Sequence, residues 1–460
     1  MVSDTAAAPP GTAIPPVPYT GPMSLRYFGT DGIRGRALEP PLSLEDACRW
    51  GAAWAQTART EGIERLVVGW DPRLSSESIF HAFRQGVGMR LEVLSLGMVP
   101  TPAVAWNVLR LGEQGRPAWG LMISASHNPP EDNGIKGFNE RGEKLEEDQE
   151  RDIEAAYDAL QEPTTILVEP RSLPVEPYLD HLLGVDLPAA FPVVVDCAHG
   201  AAAPWAPRRL RGQVRFLGVP ADGARINVGV GSTHLASLQE EVVRSNAALG
   251  VAFDGDGDRC LLVDAGGRIV DGDQILWLLV QDLLDRGQEV PGVVGTLMTN
   301  AGLEAALADR GVPFARTPVG DKFMLREMGR RGWDLAAEAS GHVIQRHLGP
   351  SGDGLATALE AISALLRRAP GERWTWGFRP WPQRLVNLLA SERRPLADCP
   401  QLQAAQARLE AARGADLRIV VRWSGTEPKL RLMVEARSSD LVEQALAQLE
   451  EAVRQDLRLP

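Results

Sequence analysis

Several side chains able to take part in group transfer lie close together between positions 123 and 136. Ser126 and His127 are adjacent, Asn128 and Pro129 follow, and Lys136 lies shortly downstream, so a hydroxyl, an imidazole and an amine share one predicted loop. Because a residue before proline is disfavoured in helical geometry, we expect the serine in extended or turn backbone, with its oxygen reachable. No Gly-x-Ser-x-Gly elbow surrounds it, which argues against acyl-transfer hydrolysis. A serine that only caps a helix or forms a turn is the alternative.

A second group of candidates consists of Asp254, Asp256 and Asp258, which alternate with glycines directly after the apolar run 249–253. In extended backbone alternate side chains point to the same side, and the glycines let the chain curl the carboxylates toward one hard cation, for which we predict Mg²⁺. A calcium EF-hand loop does not fit, because the position after the third aspartate is arginine and the twelfth position is alanine. A solvated acidic turn without a metal is the alternative.

The segment from Arg422 to Arg431 offers groups that suit a phosphate. Ser424, Gly425 and Thr426 form a predicted turn between two strands. Such a turn exposes backbone N–H groups and hydroxyls, and the two flanking arginines add guanidinium groups that bind phosphate well. An ordinary hairpin with charged flanks is the alternative.

Two further loops carry weaker signals. Glu338, Ser340 and His342 combine a carboxylate, a hydroxyl and an imidazole, a set that suits sugar hydroxyls. The stretch 29–35 is a predicted glycine-dense loop that contains Arg34, and it matches neither the GxGxxG nor the Walker A pattern. Nucleotide binding is therefore not indicated.

The elements that must position these groups are short apolar runs alternating with helix-like stretches, a pattern typical of α/β layers with largely parallel sheets. The predicted strands 66–70, 119–123, 193–196, 249–253 and 293–296 each end in a cluster of Gly, Ser, Asn or Asp. Ligands of open α/β sheets collect beyond the carboxyl ends of strands, so these clusters are the favoured site positions. Near the C-terminus two strands, 418–423 and 429–436, and a helix from about residue 440 indicate a smaller α+β module.

The chain has 460 residues, which predicts several domains rather than one core. Its formal charge of −12 disfavours a general nucleic-acid or anionic-membrane surface. Four widely spaced cysteines suggest neither a disulfide framework nor a zinc site, and no membrane span or signal peptide is evident, so we expect a cytoplasmic protein. We predict a disordered leader and four domains: 1–24, then 25–170, 171–267, 268–372 and 373–460.

In this order, the clusters resemble the α-D-phosphohexomutase superfamily. The resemblance rests on segments 28–35, 123–129, 132–136, 295–300 and 424–428, and it spans nearly the whole chain after residue 25. It implies four domains around a central cleft, three of them α/β with mixed, largely parallel sheets and a C-terminal α+β domain, with one loop from each domain lining the cleft.

The resemblance also implies a role for each cluster. Ser126 would be carried as phosphoserine, and the three aspartates would hold Mg²⁺ together with an oxygen of that residue. Glu338, Ser340 and His342 would bind the sugar, and the loop from Arg422 to Thr426, with Arg431 beyond it, would bind the phosphate that is not transferred.

Phosphoryl transfer depends mostly on positioning and charge stabilisation, so we expect His127, Lys136 and Arg259 to matter next to the serine. His342 and Lys136 are the two candidate proton acceptors for the sugar hydroxyl. We hypothesise that Arg34 helps to hold the phosphoserine loop.

Within the superfamily the likeness is greatest to bacterial enzymes that interconvert glucosamine 6-phosphate and glucosamine 1-phosphate, a step toward UDP-N-acetylglucosamine and the cell wall. A hexose 1,6-bisphosphate, of glucosamine or glucose, would be the activator, a small phosphosugar the partner, and a monomer or homodimer the assembly.

Three positions depart from the usual pattern: Ala337 stands in place of a glycine, Lys322 of an arginine and His199 of an asparagine. A mannose or glucose phosphate mutase, and a non-catalytic phosphosugar-binding protein on the same scaffold, are the alternatives.

Overall fold

We analysed a computed structural model of the chain. It describes residues 25–160, 166–371, 378–423 and 429–457. The predicted leader, residues 1–24, and the predicted phosphate-loop residues Ser424, Gly425 and Thr426 lie outside the described residues.

The first domain is a mixed sheet covered by helices. Its elements are β1 (Phe28–Gly29), β2 (Gly32–Arg36), α1 (Leu44–Thr60), β3 (Arg65–Trp70), α2 (Ser76–Val87), β4 (Glu92–Met98), α3 (Thr101–Glu113), β5 (Trp119–Ile123), β6 (Asp132–Phe138), α4 (Glu147–Ala159) and β7 (Arg171–Ser172). The strands lie in the order β1-β2-β6-β5-β3-β4-β7, with β3 parallel to β4 and β5. Helix α1 buries Trp50 and Trp54 completely, and each large apolar side chain removed from water stabilises the fold by roughly 1.5–3 kcal/mol.

The second domain repeats this design around β12. Its elements are α5 (Glu176–His181), β8 (Val185–Leu187), β9 (Val193–Asp196), α6 (Ala206–Arg209), β10 (Leu210–Gly212), β11 (Val214–Leu217), α7 (Ala236–Arg244), β12 (Leu249–Phe253), β13 (Cys260–Asp264) and β14 (Ile269–Val270). In the order β11-β9-β12-β13-β14, the first three strands are parallel and the rest antiparallel. The turn between β12 and β13 therefore lies at the carboxyl end of a buried strand.

The third domain is built from α8 (Gly272–Asp285), β15 (Val293–Thr296), α9 (Ala301–Asp309), β16 (Phe314–Thr317), α10 (Asp321–Arg331), β17 (Leu335–Ala337), β18 (Val343–Gln345) and α11 (Gly354–Arg367). Its sheet has the order β16-β15-β17-β18, with β15 parallel to both neighbours and β18 antiparallel. Helix α8 begins at a capping box in which Asp271 and Gln274 satisfy each other's backbone N–H groups.

The fourth domain is an antiparallel sheet with helices on one face. Its elements are β19 (Gln383–Leu389), α12 (Pro400–Arg413), β20 (Leu417–Trp423), β21 (Lys429–Ala436) and α13 (Ser439–Asp456), and the strand order is β19-β21-β20. Leu430, Leu432 and Val434 of β21 join Leu446 and Leu449 of α13 in one buried cluster. The opposite face of the sheet carries the arginines of the predicted phosphate site.

The expected class of fold, three α/β domains followed by an α+β domain, is confirmed, as are the five strands predicted at the site positions. Strands β7 and β14 lie just beyond residues 170 and 267 and still pair within the first and second sheets. The proposed domain boundaries stay a prediction. The four cysteines are buried and free of disulfides, and among the described residues no helix is long and apolar enough to cross a membrane.

Two local expectations were wrong. The stretch 29–35 is not a loop but the strand pair β1 and β2, and Lys136 lies on strand β6 rather than in the serine loop. The strand pair packs tightly on β6: a side chain at Gly32, whose φ is +81°, would place its Cβ 2.3 Å from the Ile135 carbonyl oxygen. The glycine allows this approach, which turns an apparent loop into sheet.

Candidate active site

Ser126 lies in the turn after β5 with left-handed backbone, at φ 51°. Its amide donates to Ser124 Oγ at 2.8 Å, and its carbonyl accepts from Arg73 Nη2 at 3.0 Å and Asn227 Nδ2 at 2.8 Å. Two domains thus hold the backbone of this turn. The expected turn conformation is confirmed. The Ser126 side chain is fully buried, so the expectation that its oxygen is reachable was wrong.

The arginine that hydrogen-bonds the serine turn is Arg73, and the role that we hypothesised for Arg34 stays a prediction. Arg73 donates to the Asn128 carbonyl at 2.8 Å and to Asp71 Oδ2 at 2.9 Å, and its side chain is fully buried. Arg34 donates instead to Asp31 on the neighbouring strand pair. Asp71 and Arg73 follow the predicted strand 66–70 directly, so their position at a strand end was the signal that could have found them.

The acidic turn between β12 and β13 meets the serine turn. Ser126 Oγ donates to Asp254 Oδ2 at 2.7 Å, although the two residues are 128 positions apart. The backbones also touch, since a Cβ at Gly255 would lie 2.6 Å from the Ser126 carbonyl oxygen. The glycines of the acidic turn therefore serve close approach as well as curvature.

Asp254, Asp256 and Asp258 form a group able to hold a metal ion. Each offers one ligand oxygen, and these atoms all lie within 4.8 Å of one another. All three residues are buried, which contradicts the alternative of a solvated acidic turn. Asp256 Oδ1 and Asp258 Oδ1 are buried without a hydrogen-bond partner, and carboxylate oxygens are what hard divalent cations bind. The residues present therefore fit a metal.

The pKa values of Asp254 and Asp258 also favour a bound metal ion. Burial and the charges of Asp258 and Asp256 raise the pKa of Asp254 well above its ordinary value. Burial also opposes ionisation of Asp258, but Lys136 and His342 hold its pKa well below the ordinary value. Three carboxylates in so small a volume repel one another, and a divalent cation would let all three ionise.

Lys136 is the buried cation of the cluster. Its Nζ lies 2.7 Å from Asp256 Oδ2, 3.2 Å from Asp31 Oδ2 and 3.6 Å from Asp258 Oδ2. Thr101 donates a hydroxyl proton to the same oxygen of Asp256. The amine thus faces the carboxylates of the acidic turn, with its donors directed at them.

His127 and Arg259 lie at the edge of the cluster. His127 Nδ1 is 3.4 Å from Ser126 Oγ, and Arg259 Nε is 3.8 Å from Asp258 Oδ1. Burial, followed by the charges of Arg259 and Arg34, lowers the pKa of His127 to about 4. At neutral pH this imidazole is therefore neutral.

The predicted sugar loop joins β17 to β18. Ser340 is exposed and donates to Glu338 Oε2 at 3.2 Å, while Glu338 Oε1 accepts from the Gly320 amide at 3.0 Å. Two loops of the third domain thereby orient one carboxylate. Ala337 is fully buried in the hydrophobic core, so its departure from the family pattern does not place a side chain toward a sugar.

His342 connects the third domain to the metal-binding turn. Its Nδ1 lies 3.7 Å from Asp258 Oδ1, and its Nε2 lies 3.6 Å from Asp321 Oδ2 and has no hydrogen-bond partner. Burial lowers the pKa of His342, but Asp258, Asp321 and Glu338 outweigh it and leave the pKa raised. The free Nε2 gives this ring an atom that can exchange a proton.

Arg422 and Arg431 are paired in register on the strands that flank the predicted phosphate loop. Burial and the charge of Arg431 lower the pKa of Arg422, which shows that the two guanidinium groups share one neighbourhood. Adjacent like charges favour an anion between them. These arginines lie on another domain from Ser126.

A network that sequence reasoning missed links the first and third domains. Lys144 contacts Asp31 and lies 2.8 Å from Asp321 Oδ2, and Lys322 Nζ lies 3.4 Å from Glu150 Oε2. Asp31 lies inside the segment 28–35 and Asp321 directly precedes Lys322, but no spacing rule pairs residues so far apart in the chain. Lys322, which stands in place of the arginine usual in the family, thus lies in the interface between the first and third domains.

The chain belongs to the phosphoglucomutase/phosphomannomutase family. All four domains of this family match: the alpha/beta/alpha domain I over residues 25–164, domain II over 176–267, domain III over 271–373 and the C-terminal domain over 385–452. It is thus an enzyme of the phosphohexomutase class, as the resemblance implied.

Relatives of known name cover most of the chain. It is 41% identical over 435 residues to the phosphoglucosamine mutase of Azotobacter vinelandii, covering 90% of this chain and 95% of that protein. The Aliivibrio fischeri phosphoglucosamine mutase is 38% identical over 448 residues, covering 94% and 99%.

Solved structures share the fold. A phosphoglucomutase/phosphomannomutase family protein from Burkholderia thailandensis superimposes with a TM-score of 0.79 at 24% identity, covering 95% of this chain and all of that chain. The Aspergillus fumigatus N-acetylphosphoglucosamine mutase, solved with GlcNAc-6P and magnesium, gives a TM-score of 0.61 at 19% identity, covering 95% and 96%.

Proposed function

We propose that this chain is a phosphoglucosamine mutase that interconverts glucosamine 6-phosphate and glucosamine 1-phosphate. The observation that carries the proposal is the hydrogen bond of 2.7 Å between Ser126 Oγ and Asp254, at a buried triad of carboxylates. The relatives named phosphoglucosamine mutase, at about 40% identity over nine-tenths of the chain, support the choice of substrate.

We infer that Ser126 carries the transferable phosphoryl group. In the forward step the bond between Ser126 Oγ and phosphorus breaks, the free sugar oxygen bonds to the phosphorus, and the sugar hydroxyl gives its proton to a base. The resulting bisphosphate turns over in the cleft and returns its other phosphate to Ser126. Asp254, Asp256 and Asp258 would hold Mg²⁺, which neutralises charge on the transferring group when bound.

His342 is the better candidate for the base. Its Nε2 is buried and without a hydrogen-bond partner, whereas the donors of Lys136 are directed at three carboxylates. Lys136 then fixes Asp256 and, with Arg259, balances charge around Ser126, while the neutral ring of His127 lies beside the serine. Any proton transfer requires the base to lie within hydrogen-bond reach of the sugar oxygen.

The remaining roles follow from the same proposal. Glu338, Ser340 and His342 bind the sugar hydroxyls, and Arg422 and Arg431 bind the phosphate that is not transferred, together with the predicted loop residues Ser424, Gly425 and Thr426. A hexose 1,6-bisphosphate activates the enzyme by phosphorylating Ser126. We propose that the enzyme acts on its small phosphosugar in the cytoplasm, as a monomer or homodimer.

One assay tests the proposed function. Purified protein with Mg²⁺ and a trace of hexose 1,6-bisphosphate is given the 1-phosphates of glucosamine, glucose and mannose, and kcat/KM is compared for the three. We expect the highest value for glucosamine 1-phosphate. A higher value for mannose or glucose 1-phosphate would assign the enzyme to another branch of the family, and no turnover of any of them would overturn the proposal.

A further inference from the structure

The loop between β15 and α9, which links Thr296 to Asn300, belongs to a segment that the sequence singled out but that no step above uses. It contacts the fourth domain through the Asn300 side chain, which exchanges two hydrogen bonds with the Trp381 backbone, and through its own backbone carbonyls. Arg418 on β20 donates to the Leu297 carbonyl and, at 2.9 Å, to the Thr299 carbonyl. One guanidinium therefore binds two carbonyls of a loop on another domain.

Glu435 on β21 completes this contact. Its Oε2 accepts from Arg418 Nε at 2.8 Å, and its Oε1 accepts from the Ala301 amide, at the start of α9, at 3.0 Å. Glu435 is fully buried, so its carboxylate depends on these partners. A buried ion pair that also satisfies backbone groups has a defined geometry, and removing either partner leaves the other uncompensated.

The strand register relates this pair to the predicted phosphate site. Arg418 is directly opposite Glu435, and Arg422 is directly opposite Arg431. Side chains four positions apart on a strand share one face of a sheet and are separated by about 13 Å. One face of the β20–β21 hairpin thus holds the contact with the third domain near its base and the two arginines near its tip.

We propose that Arg418 and Glu435 are positioning residues that fix the phosphate-binding hairpin against the third domain, which also carries the sugar-binding loop. We call this pair, with the loop Thr296 to Asn300, the interdomain anchor. The inference rests on the proposed function, because it concerns how the hairpin meets a phosphosugar. Without the anchor, Arg422 and Arg431 keep their charges but lose their fixed distance from Glu338.

The test uses the full-length variants Glu435→Gln and Arg418→Met, with Arg384→Met as matched control. Arg384 lies on β19 of the same sheet and contacts Glu443 at the surface. The anchor loop keeps a partner in Arg418→Met, because Arg316 also donates to the Thr299 carbonyl, at 2.7 Å. Should Arg418→Met fail to fold, Glu435→Gln still tests the anchor. The side-chain oxygen of the glutamine can still accept a hydrogen bond from the Ala301 amide, so no backbone donor is left unpaired in that variant.

Two readouts are compared: steady-state kcat and KM with glucosamine 1-phosphate, and hydrogen exchange of peptides that contain the Ala301 amide. We expect both anchor variants to raise KM about tenfold, with kcat changed less than about threefold, because the anchor affects binding rather than the reacting atoms. Exchange at Ala301 should accelerate by about tenfold or more, because Glu435→Gln replaces the charged acceptor of this amide with a neutral one and Arg418→Met removes the side chain that holds this acceptor in place. Arg384→Met should match the unaltered chain in both readouts.

An unchanged KM in both anchor variants would overturn the inference, as would a loss of kcat at constant KM. Failure of the proposed function is distinguishable, because the unaltered chain would then turn over none of the three sugar phosphates. In that case hydrogen exchange still decides on the anchor, since it does not depend on substrate. Equal exchange at Ala301 in all four proteins would show that the contact does not restrain the domain interface.

Discussion

The Ser126 cluster and the arginine hairpin of the fourth domain are held in different ways. Ser126, Asp254 and Asp256 are fully buried and tied to residues of the first and second domains. Arg422 and Arg431 are only partly buried on an open sheet face. Burial and several hydrogen bonds act together to hold the first site, whereas the hairpin contacts the third domain through Arg418 and Glu435.

The two regions therefore suit different parts of the proposed reaction. Groups that make and break bonds require fixed distances, which a buried network supplies. Groups that recognise a phosphate need access from solvent and tolerate more movement. Substitutions in the Ser126 cluster should therefore lower kcat, and substitutions in the hairpin should raise KM.

The largest expected effect is that of Ser126→Ala. Without the hydroxyl no phosphoryl group can be carried, so we predict that kcat falls by at least about a thousandfold. The melting temperature should change little, because the change removes one hydroxyl and leaves the backbone contacts of the turn. Steady-state kinetics and thermal melting check both parts, and retained turnover would refute the role of the serine.

Asp256→Asn should have the second-largest effect on turnover. It removes one carboxylate charge from the metal site and weakens the contact of Lys136, so we expect a loss of about a hundredfold in kcat and a higher Mg²⁺ requirement. The measurement is turnover against Mg²⁺ concentration, with calorimetric titration of the metal. Turnover of the unaltered chain that a chelator leaves unchanged would contradict the proposed role of the metal.

Lys136→Ala separates the two candidate proton acceptors. It removes the cation that faces Asp256, and we expect kcat to fall by about ten- to a hundredfold without unfolding. His342→Gln is the companion variant and should flatten the pH profile of kcat, since it removes the proposed base. Full activity in Lys136→Ala would limit this lysine to a structural contact, and an unaltered pH profile in His342→Gln would exclude the histidine as base.

Arg422→Ala tests the role of the arginine hairpin of the fourth domain. We predict an increase of about tenfold in KM with kcat nearly unchanged, because one guanidinium contact to a phosphate is lost. Arg384→Met, on the same sheet, serves again as the control. A collapse of kcat at unchanged KM would contradict the division of labour between the two regions.

The last prediction concerns stability rather than turnover, at the interface between the first and third domains. Burial raises the pKa of Glu150 to about 7 from its usual 4.5, against the opposing charge of Lys322. The folded protein therefore binds this proton more tightly than the unfolded chain, so the stabilisation is full below pH 4.5 and is lost as the pH rises through about 7. The loss is about 3 kcal/mol. Urea unfolding at several pH values should show this loss in the unaltered chain but not in Glu150→Gln, and equal slopes would contradict it.

Local patterns were sufficient for the parts of the molecule that local chemistry determines. Apolar runs ending in small or polar residues predicted β5, β12 and β15, and alternation of aspartate with glycine predicted a metal-binding turn that the structure buries as one group. The glycine-rich stretch 29–35 misled because Gly32 serves close sheet packing rather than a loop.

The rest depends on tertiary packing that no spacing rule reveals. Arg73 holds the serine turn because Asp71 orients it at the neighbouring strand end, and Lys144 joins Asp31 to Asp321 across a domain interface. The burial of Ser126 follows from the contact between two domains. These residues were visible in the sequence, but their partners were not.

The most direct test of the central claim is to locate the transferable phosphate. The protein is incubated with glucose 1,6-bisphosphate and Mg²⁺, digested, and its phosphopeptides are sequenced by mass spectrometry before and after addition of glucosamine 6-phosphate. We predict phosphate on Ser126 that disappears when the sugar is added, with glucosamine 1,6-bisphosphate formed in its place. Phosphate on another residue, or phosphate on Ser126 that the sugar does not remove, would contradict it.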